Sequence, residues 1–219
     1  MAKIVLFGIG QNADVAHVYL AQDSPHEVAA FTVDAAYVNE KEHRSLPVVP
    51  FENIQDAYPP EQFSMFLPIS YRGVNQIRKR KYEEAKNKGY SLISYVSSRA
   101  TTWPGLTVGD NCFILENNVI QPFAAIGNDV VLWSGNHIGH HSSIGDHCFL
   151  ASHIVVSGSV TIGAGCFIGV NAAIRDGIKI APGCVIGAGA LILRDTEERA
   201  VYSGLPAKLL PSKSDEIEL

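Results

Sequence analysis

The chain has 219 residues, 47% hydrophobic and 18% charged, with a formal net charge of −5 and a pI near 5.9. That hydrophobic content supplies a core and excludes wholesale disorder, and no apolar run approaches the ~20 residues of a membrane span. The acidic balance argues against a nucleic-acid or membrane partner; the opening residues lack a signal-peptide pattern, so a cytoplasmic protein with reduced thiols is expected.

The first expected strand is Lys3–Phe7, followed by Gly8-Ile9-Gly10-Gln11-Asn12 and by helical spacing of apolar residues over Asn12–Leu20. A second strand, Glu27–Val33, ends at Asp34; Ser64–Ile69 reads as a third and Ser91–Val96 as a fourth. Before the fourth lies a basic helix, Asn75–Asn87, whose Arg78–Lys81 run reads as a solvated face. This alternation defines a small parallel α/β domain over residues 1–97. The Gly8–Asn12 turn stands where backbone N–H groups at a helix N-terminus can hold a phosphate, and Asp34 where an acid commonly meets a ribose or base. Without the third glycine of the dinucleotide fingerprint, the turn is a weak motif on its own.

From residue 98 the pattern changes. Every sixth residue from Val108 to Ile192 is Val, Ile or Leu, fifteen in succession without an insertion. A period of six without helical spacing marks a hexapeptide β-helix. Three hexads make one triangular coil of 18 residues, so the array makes five coils over a domain at 98–195, with a C-terminal extension at 196–219. Cys112, Cys148, Cys166 and Cys184 share one column and are expected inside as small apolar fillers; Asn118 and Asn136 form a similar short ladder. Residues just before each repeat aliphatic face outward. A first wall carries Phe113, Val131, Phe149, Phe167 and Val185. A second carries Val119, His137, Val155, Ala173 and Leu191, and a third, polar wall carries Thr107, Ala125, Ser143, Thr161 and Lys179. Two apolar outer walls call for partners, and closure as a homotrimer is expected.

Five of the eight histidines fall between residues 137 and 153. His137 points out of the second wall, and His140 and His141 lie on the corner leaving it. His147 occupies a column of turn formers and reads as a solvated turn residue; His153 stands at the corner between the apolar walls, with a site role and a turn role both open. One coil beyond His140 its column holds Gly158, which leaves room for a ligand against the backbone. His140, beside the expected interface groove, is therefore the candidate catalytic histidine, with His141 in a supporting or alternative role.

Together these features resemble the bacterial nucleotide-sugar acetyltransferases of the PglD and NeuD type. The likeness rests on Phe7–Asn12, the hexapeptide array, Ile138–Gly145, Phe167–Asn171 and Gly204-Leu205-Pro206-Ala207-Lys208, and covers nearly the whole chain. The resemblance implies a small Rossmann-like α/β domain that binds a nucleotide-sugar, then a left-handed parallel β-helix that trimerises. It implies acetyl-CoA as co-substrate, held between neighbouring β-helices, and no metal. It assigns nucleotide-sugar contacts to Gly10, Gln11, Asn12 and Asp34, acetyl-CoA contacts to Gly158, Val170 and Ala188, and catalysis to His140. The implied reaction is direct N-acetylation of a nucleotide-linked amino sugar, of the 4-amino-4,6-dideoxy kind used in surface glycans such as lipopolysaccharide O-antigen. GDP, UDP and dTDP all remain open as carriers. In the family an acidic residue usually follows the base; here that position is His141, so what orients His140 is open. Three rivals stand beside this reading. Sugar O-acetylation of the sialic-acid type would place more weight on the missing acid. A γ-type carbonic anhydrase would need a His-x₄-His pair that is absent and would leave the N-terminal domain unexplained. The third is a non-catalytic assembly module.

Overall fold

The computed structural model describes residues 2–204. Leu205–Lys208 of the terminal motif and the acidic Ser214–Leu219 lie outside the described residues. The N-terminal domain is built on β1 (Lys3–Phe7), β2 (Glu27–Val33), β4 (Leu46–Pro50) and β5 (Phe63–Phe66), all parallel. A short β3 (Glu42–His43) joins antiparallel at the edge, giving the order β3-β4-β2-β1-β5. β3 and β4 stand outside the strands expected from the sequence. Two prolines in the five-residue β4 argue against a strand, yet Val48 pairs with Phe31 and is buried.

Alternation along β1 sends Ile4 and Leu6 to one face and Val5 and Phe7 to the other. The first face packs against Ala13, Ala16 and Leu20 of α1 (Gln11–Asp23) and onto the β-helix. The second packs against α2 (Ile54–Ala57) and against Ala85 of α3 (Gln76–Asn87).

The β-helix consists of two-residue strands from Thr107–Val108 to Leu191–Ile192, each ending in the repeat aliphatic and pairing in parallel one coil away, as in Val131↔Phe149 and His137↔Val155. The aliphatics fill a continuous buried interior. All four cysteines are buried there, and their thiols reach backbone carbonyls, Cys148 Sγ donating to Gly163 O at 3.1 Å. Asn118 Oδ1 accepts from the Asn136 amide at 3.2 Å, and Asn136 Oδ1 from that of Ile154 at 2.8 Å, so the ladder continues through the backbone. No helix among the described residues is long and apolar enough to cross a membrane.

Four expectations are corrected. The two apolar walls are not equivalent. Phe113, Val131 and Phe149 of the first wall are 3–4% exposed because the N-terminal domain of the same chain covers them. The second wall stays bare, with Val155 at 45% and Leu191 at 64%.

The Arg78–Lys81 run is only half a solvated face. Lys79 and Arg80 face solvent, but Arg78 is fully buried between the domains. Its Nη2 donates to the carbonyls of Asp129 (3.1 Å), His147 (2.8 Å) and Cys148 (3.0 Å). Its Nε lies 3.1 Å from Asp129 Oδ1 as an ion pair. His147 belongs to the same network, its Nδ1 2.8 Å from Asp129 Oδ2, rather than to a solvated turn. Lys81 is also drawn in, by Asp34 and Glu84 at 2.6 Å each. Helical spacing puts residues 78 and 81 on the same, inward face, which a charge count along the chain does not reveal.

Ser91–Val96 is not a fourth strand of the N-terminal sheet. Leu92 bridges Met65 of β5, and the chain then crosses over, so that Tyr95–Val96 (β6) pairs with Phe113–Ile114 on the first wall. At the far end Val201–Tyr202 adds to the same wall beside Val185. The β-helix ladder thus extends past 98–195 at both ends.

Candidate active site

The strand order reverses direction at β1, with β2 and β4 on one side and β5 on the other. In open parallel sheets a ligand crevice forms at this switch, beyond the carboxyl ends of the strands. A cavity of about 710 Å³ lies there. One side is the turn after β1, Gly8 to Ala13; the other is the loop after β5, Pro68 to Arg72. The β-helix closes it with Trp133, Phe149, Ser152 and Val170.

Local conformation shapes both loops. Gly8 takes φ +111°, and its N–H donates to Thr32 O at 2.8 Å, which tucks the turn against β2. Gly10 is the N-cap of α1 without a side-chain cap, so the first-turn amides stay directed at the cavity. In the opposite loop Gly73, Val74 and Asn75 are left-handed in succession, at φ +64°, +50° and +66°. For a β-branched residue such as Val74 this is strained. The buried Asn75 holds it, its Nδ2 donating to Gly165 O (3.2 Å) and Cys166 O (3.0 Å) on the β-helix. The Tyr71 ring then packs edge-on against Phe149 (5.0 Å) and tilted against Phe167 (4.8 Å), beside the exposed Arg72.

His140 and His141 stand on the corner between the second and third walls, both exposed. The His140 N–H donates to Gln121 Oε1 at 2.9 Å, and its Nδ1 lies 3.1 Å from His141 Nδ1. Gly158 matters here differently from the expectation. The space above it is filled by the His140 ring itself: a Cβ there would lie 2.7 Å from Cε1 and 2.8 Å from Nε2. Gly158 therefore seats the histidine instead of leaving a gap for a ligand. His141 is left-handed at φ +57°, and its ring lies 4.7 Å from that of Phe123, one coil back in its column, which is 78% exposed.

The predicted site residues thus fall into three places. Gly10, Gln11 and Asn12 line the switch-point cavity together with Val170, which was expected to meet acetyl-CoA. Ala188 shares the corner column of Ser152 and Val170 one coil further on, and is exposed. Gly158 stays with His140 on the opposite edge of the second wall. Asp34 lies outside the large cavity, paired with Lys81 in a separate depression of about 280 Å³ that also includes Phe51 and Lys88. His153 covers Gly135, where an added Cβ would lie 2.6 Å from Nδ1; with His147 in the domain junction, the histidine cluster does not converge. Sequence reasoning missed Tyr71, Arg72, Trp133, Gln121 and Phe123. Only Phe123 left a trace, a large aromatic in a corner column otherwise held by His141, Ser159 and Gly177.

The model of the bacterial transferase hexapeptide family (six repeats) matches residues 159–194. No curated protein matches the chain. Among solved structures, the chain is similar to a perosamine N-acetyltransferase from Caulobacter crescentus, a histidine-to-asparagine mutant in complex with CoA and GDP-perosamine. The identity is 23%, the TM-score 0.84, and the match covers 97% of this chain and 98% of that one. It is also similar to the acetyltransferase domain of PglB from Neisseria gonorrhoeae, at 22% identity and TM-score 0.80 over 96% and 100% of the two chains. WeeI from Acinetobacter baumannii matches at 16% and 0.71 over 96% and 100%. Together with the site geometry, these likenesses establish the architecture: a small α/β domain with a switch-point cavity, joined to a hexapeptide β-helix over the full length of the chain.

Proposed function

We propose that the protein is an acetyl-CoA-dependent N-acetyltransferase acting on the amino group of a nucleotide-linked amino sugar, of the 4-amino-4,6-dideoxy kind. The observation that carries this reading is the placement of two features on opposite edges of one bare wall. The switch-point cavity opens at the corner between the first and second walls, and His140 stands at the corner between the second and third. Within one chain the full width of the second wall separates them. A ring of copies packed through that wall would bring the His140 edge of one copy to the cavity edge of the next. Closure as a homotrimer, now through one wall, is part of the proposal.

In this arrangement Gly10, Gln11 and Asn12 contact the nucleotide-sugar, and Asp34, tied to Lys81 outside the cavity, does not. Val170 and Ala188 on one edge contact acetyl-CoA, and the Gly158 corner of the other edge faces it through the His140 ring that it seats. The sugar amine attacks the thioester carbonyl carbon and the C–S bond breaks. His140 Nε2 accepts the amine proton and returns it to the departing thiolate. An amine is a good enough nucleophile for a base with no carboxylate beside it, which favours N- over O-acetylation.

Thiol release from acetyl-CoA across a panel of nucleotide-linked amino sugars tests the activity, with turnover expected for the amine and none for its hydroxyl analogue. His140→Asn should lower kcat about 10²–10⁴-fold, with acetyl-CoA binding retained; near-wild-type kcat would remove His140 from the reaction. Asn12→Trp, which fills the cavity, should raise KM for the nucleotide-sugar and leave that for acetyl-CoA unchanged. Mixing His140→Asn with a variant closed at the cavity, Ser152→Trp, should restore turnover, since some junctions then carry both intact edges. No recovery in verified mixed assemblies would argue against a shared site.

A further inference from the structure

We infer that His141 is a positioning residue whose Nδ1 accepts a hydrogen bond from His140 Nδ1–H, holding His140 in the tautomer that leaves Nε2 free to take a proton. The inference rests on the acyl-transfer reading above and names what sets up its base. Two imidazole nitrogens 3.1 Å apart can bond only when one carries a proton and the other a lone pair. If His141 were the donor, a neutral His140 would carry its proton on Nε2 and could accept none there. With His140 as the donor, Nε2 is free, and the hydrogen bond stays in place while the ring takes up charge. A charged N–H donates more strongly than a neutral one, so the contact tightens as proton transfer proceeds. His141 thereby sets tautomer and ring orientation without adding a negative charge.

Two further features support the assignment. Gly158 lets the His140 ring lie against the coil beside it, where any Cβ would displace it, and Gln121 fixes the backbone N–H of His140. On the other side Phe123 covers the His141 ring at an interplanar angle of 33°. The contact gives a function to an aromatic ring that remains 78% exposed. Ion pairs are made by His43 and His147, and none by His140 or His141 among the described residues, so the acceptor for His140 Nδ1 is the neighbouring imidazole.

Two substitutions separate the acceptor from the ring. His141→Phe keeps an aromatic ring for Phe123 and removes the acceptor; Phe123 itself, at φ +65°, demonstrates that this column accepts phenylalanine in the left-handed conformation. His141→Asn keeps an acceptor near the position of Nδ1 and suits the left-handed corner, but removes the ring. The expected result is a kcat loss of about 10²-fold for His141→Phe, at the low end of a general base's contribution, with both KM values unchanged. His141→Asn should stay within a few-fold of wild type. A reversed order, equal losses or no loss in either would overturn the inference. Nitrogen-15 NMR of the histidine rings in the intact protein gives a readout independent of turnover. A neutral His140 should carry its proton on Nδ1 in wild type and His141→Asn, and shift toward Nε2 in His141→Phe. A proton on Nε2 in wild type would overturn the inference even if acetyl transfer is found. A protein with the expected tautomer and no acetyl transfer would instead overturn the functional reading.

Discussion

The first and second walls of the β-helix are written in the same code and end in different surroundings. Both carry apolar residues at the outward position of each hexad, yet Phe149 is 3% exposed and Val155 45%. The first wall is covered from within the chain by α1 and the N-terminal sheet, and locked by the buried Arg78 and Asn75. The second is left uncovered by the chain itself. An outward apolar column therefore states that a surface must be covered, and says nothing about whether the cover is a domain or another subunit.

Paired substitutions break the comparison most sharply. Phe149→Glu places a charge in a sealed, packed interface, removing an aromatic worth about 3–5 kcal/mol and adding an uncompensated carboxylate. It should prevent folding of the junction, seen as loss of the cooperative thermal transition. Val155→Glu should leave the far-UV spectrum and monomer fold intact and abolish self-association in sedimentation. Equal behaviour of the two would mean that the walls are equivalent after all.

Arg78→Ala comes next. It removes the guanidinium from the buried Asp129 and leaves the Asp129 and His147 carbonyls without a donor, at a cost of about 3–5 kcal/mol in chemical denaturation. Lys79→Ala, one residue away but facing solvent, should change stability by less than about 0.5 kcal/mol.

A milder, pH-dependent effect is expected where the chain crosses between the domains. Asp23 accepts hydrogen bonds from the Ser98 N–H, the Tyr95 hydroxyl and the Ser97 hydroxyl. The Ser98 and Tyr95 hydrogen bonds hold its carboxyl well below the usual carboxylate range. Its folded pKa is thus below its unfolded value of about 3.9, so its contribution is full above that value and lost as pH falls toward the folded pKa. Asp23→Asn should flatten this acid limb of the stability curve; an unchanged limb would assign the acid sensitivity to other groups.

The smallest change is at Val74. Replacing it with glycine relieves left-handed strain of about 1–3 kcal/mol and adds about 0.4–1 kcal/mol of unfolded-chain entropy, for a net gain near 1 kcal/mol. The same change loosens the loop that sets Tyr71 and Arg72 against the cavity, so KM for the nucleotide-sugar should rise while that for acetyl-CoA holds. A less stable variant would mean that Val74 is unstrained.

By itself the sequence determined the β-helix, because a coil repeats the same local environment every 18 residues and fifteen aliphatics must point to one axis. It also determined the inward cysteines, the strand–turn–helix at Gly8–Asn12 and the corner that holds His140, since each depends only on position within a period or on adjacent residues. The tertiary structure decided which apolar wall the α/β domain covers, that Arg78 and His147 lie in the junction, and that Asp34 pairs with Lys81 away from the cavity. It also decided that Tyr71 and Arg72 line one cavity with Trp133 across the domain boundary. These depend on contacts between residues tens of positions apart, where burial and charge pairing are set by how two rigid units dock. A one-dimensional pattern carries the period of each unit and no information about the docking.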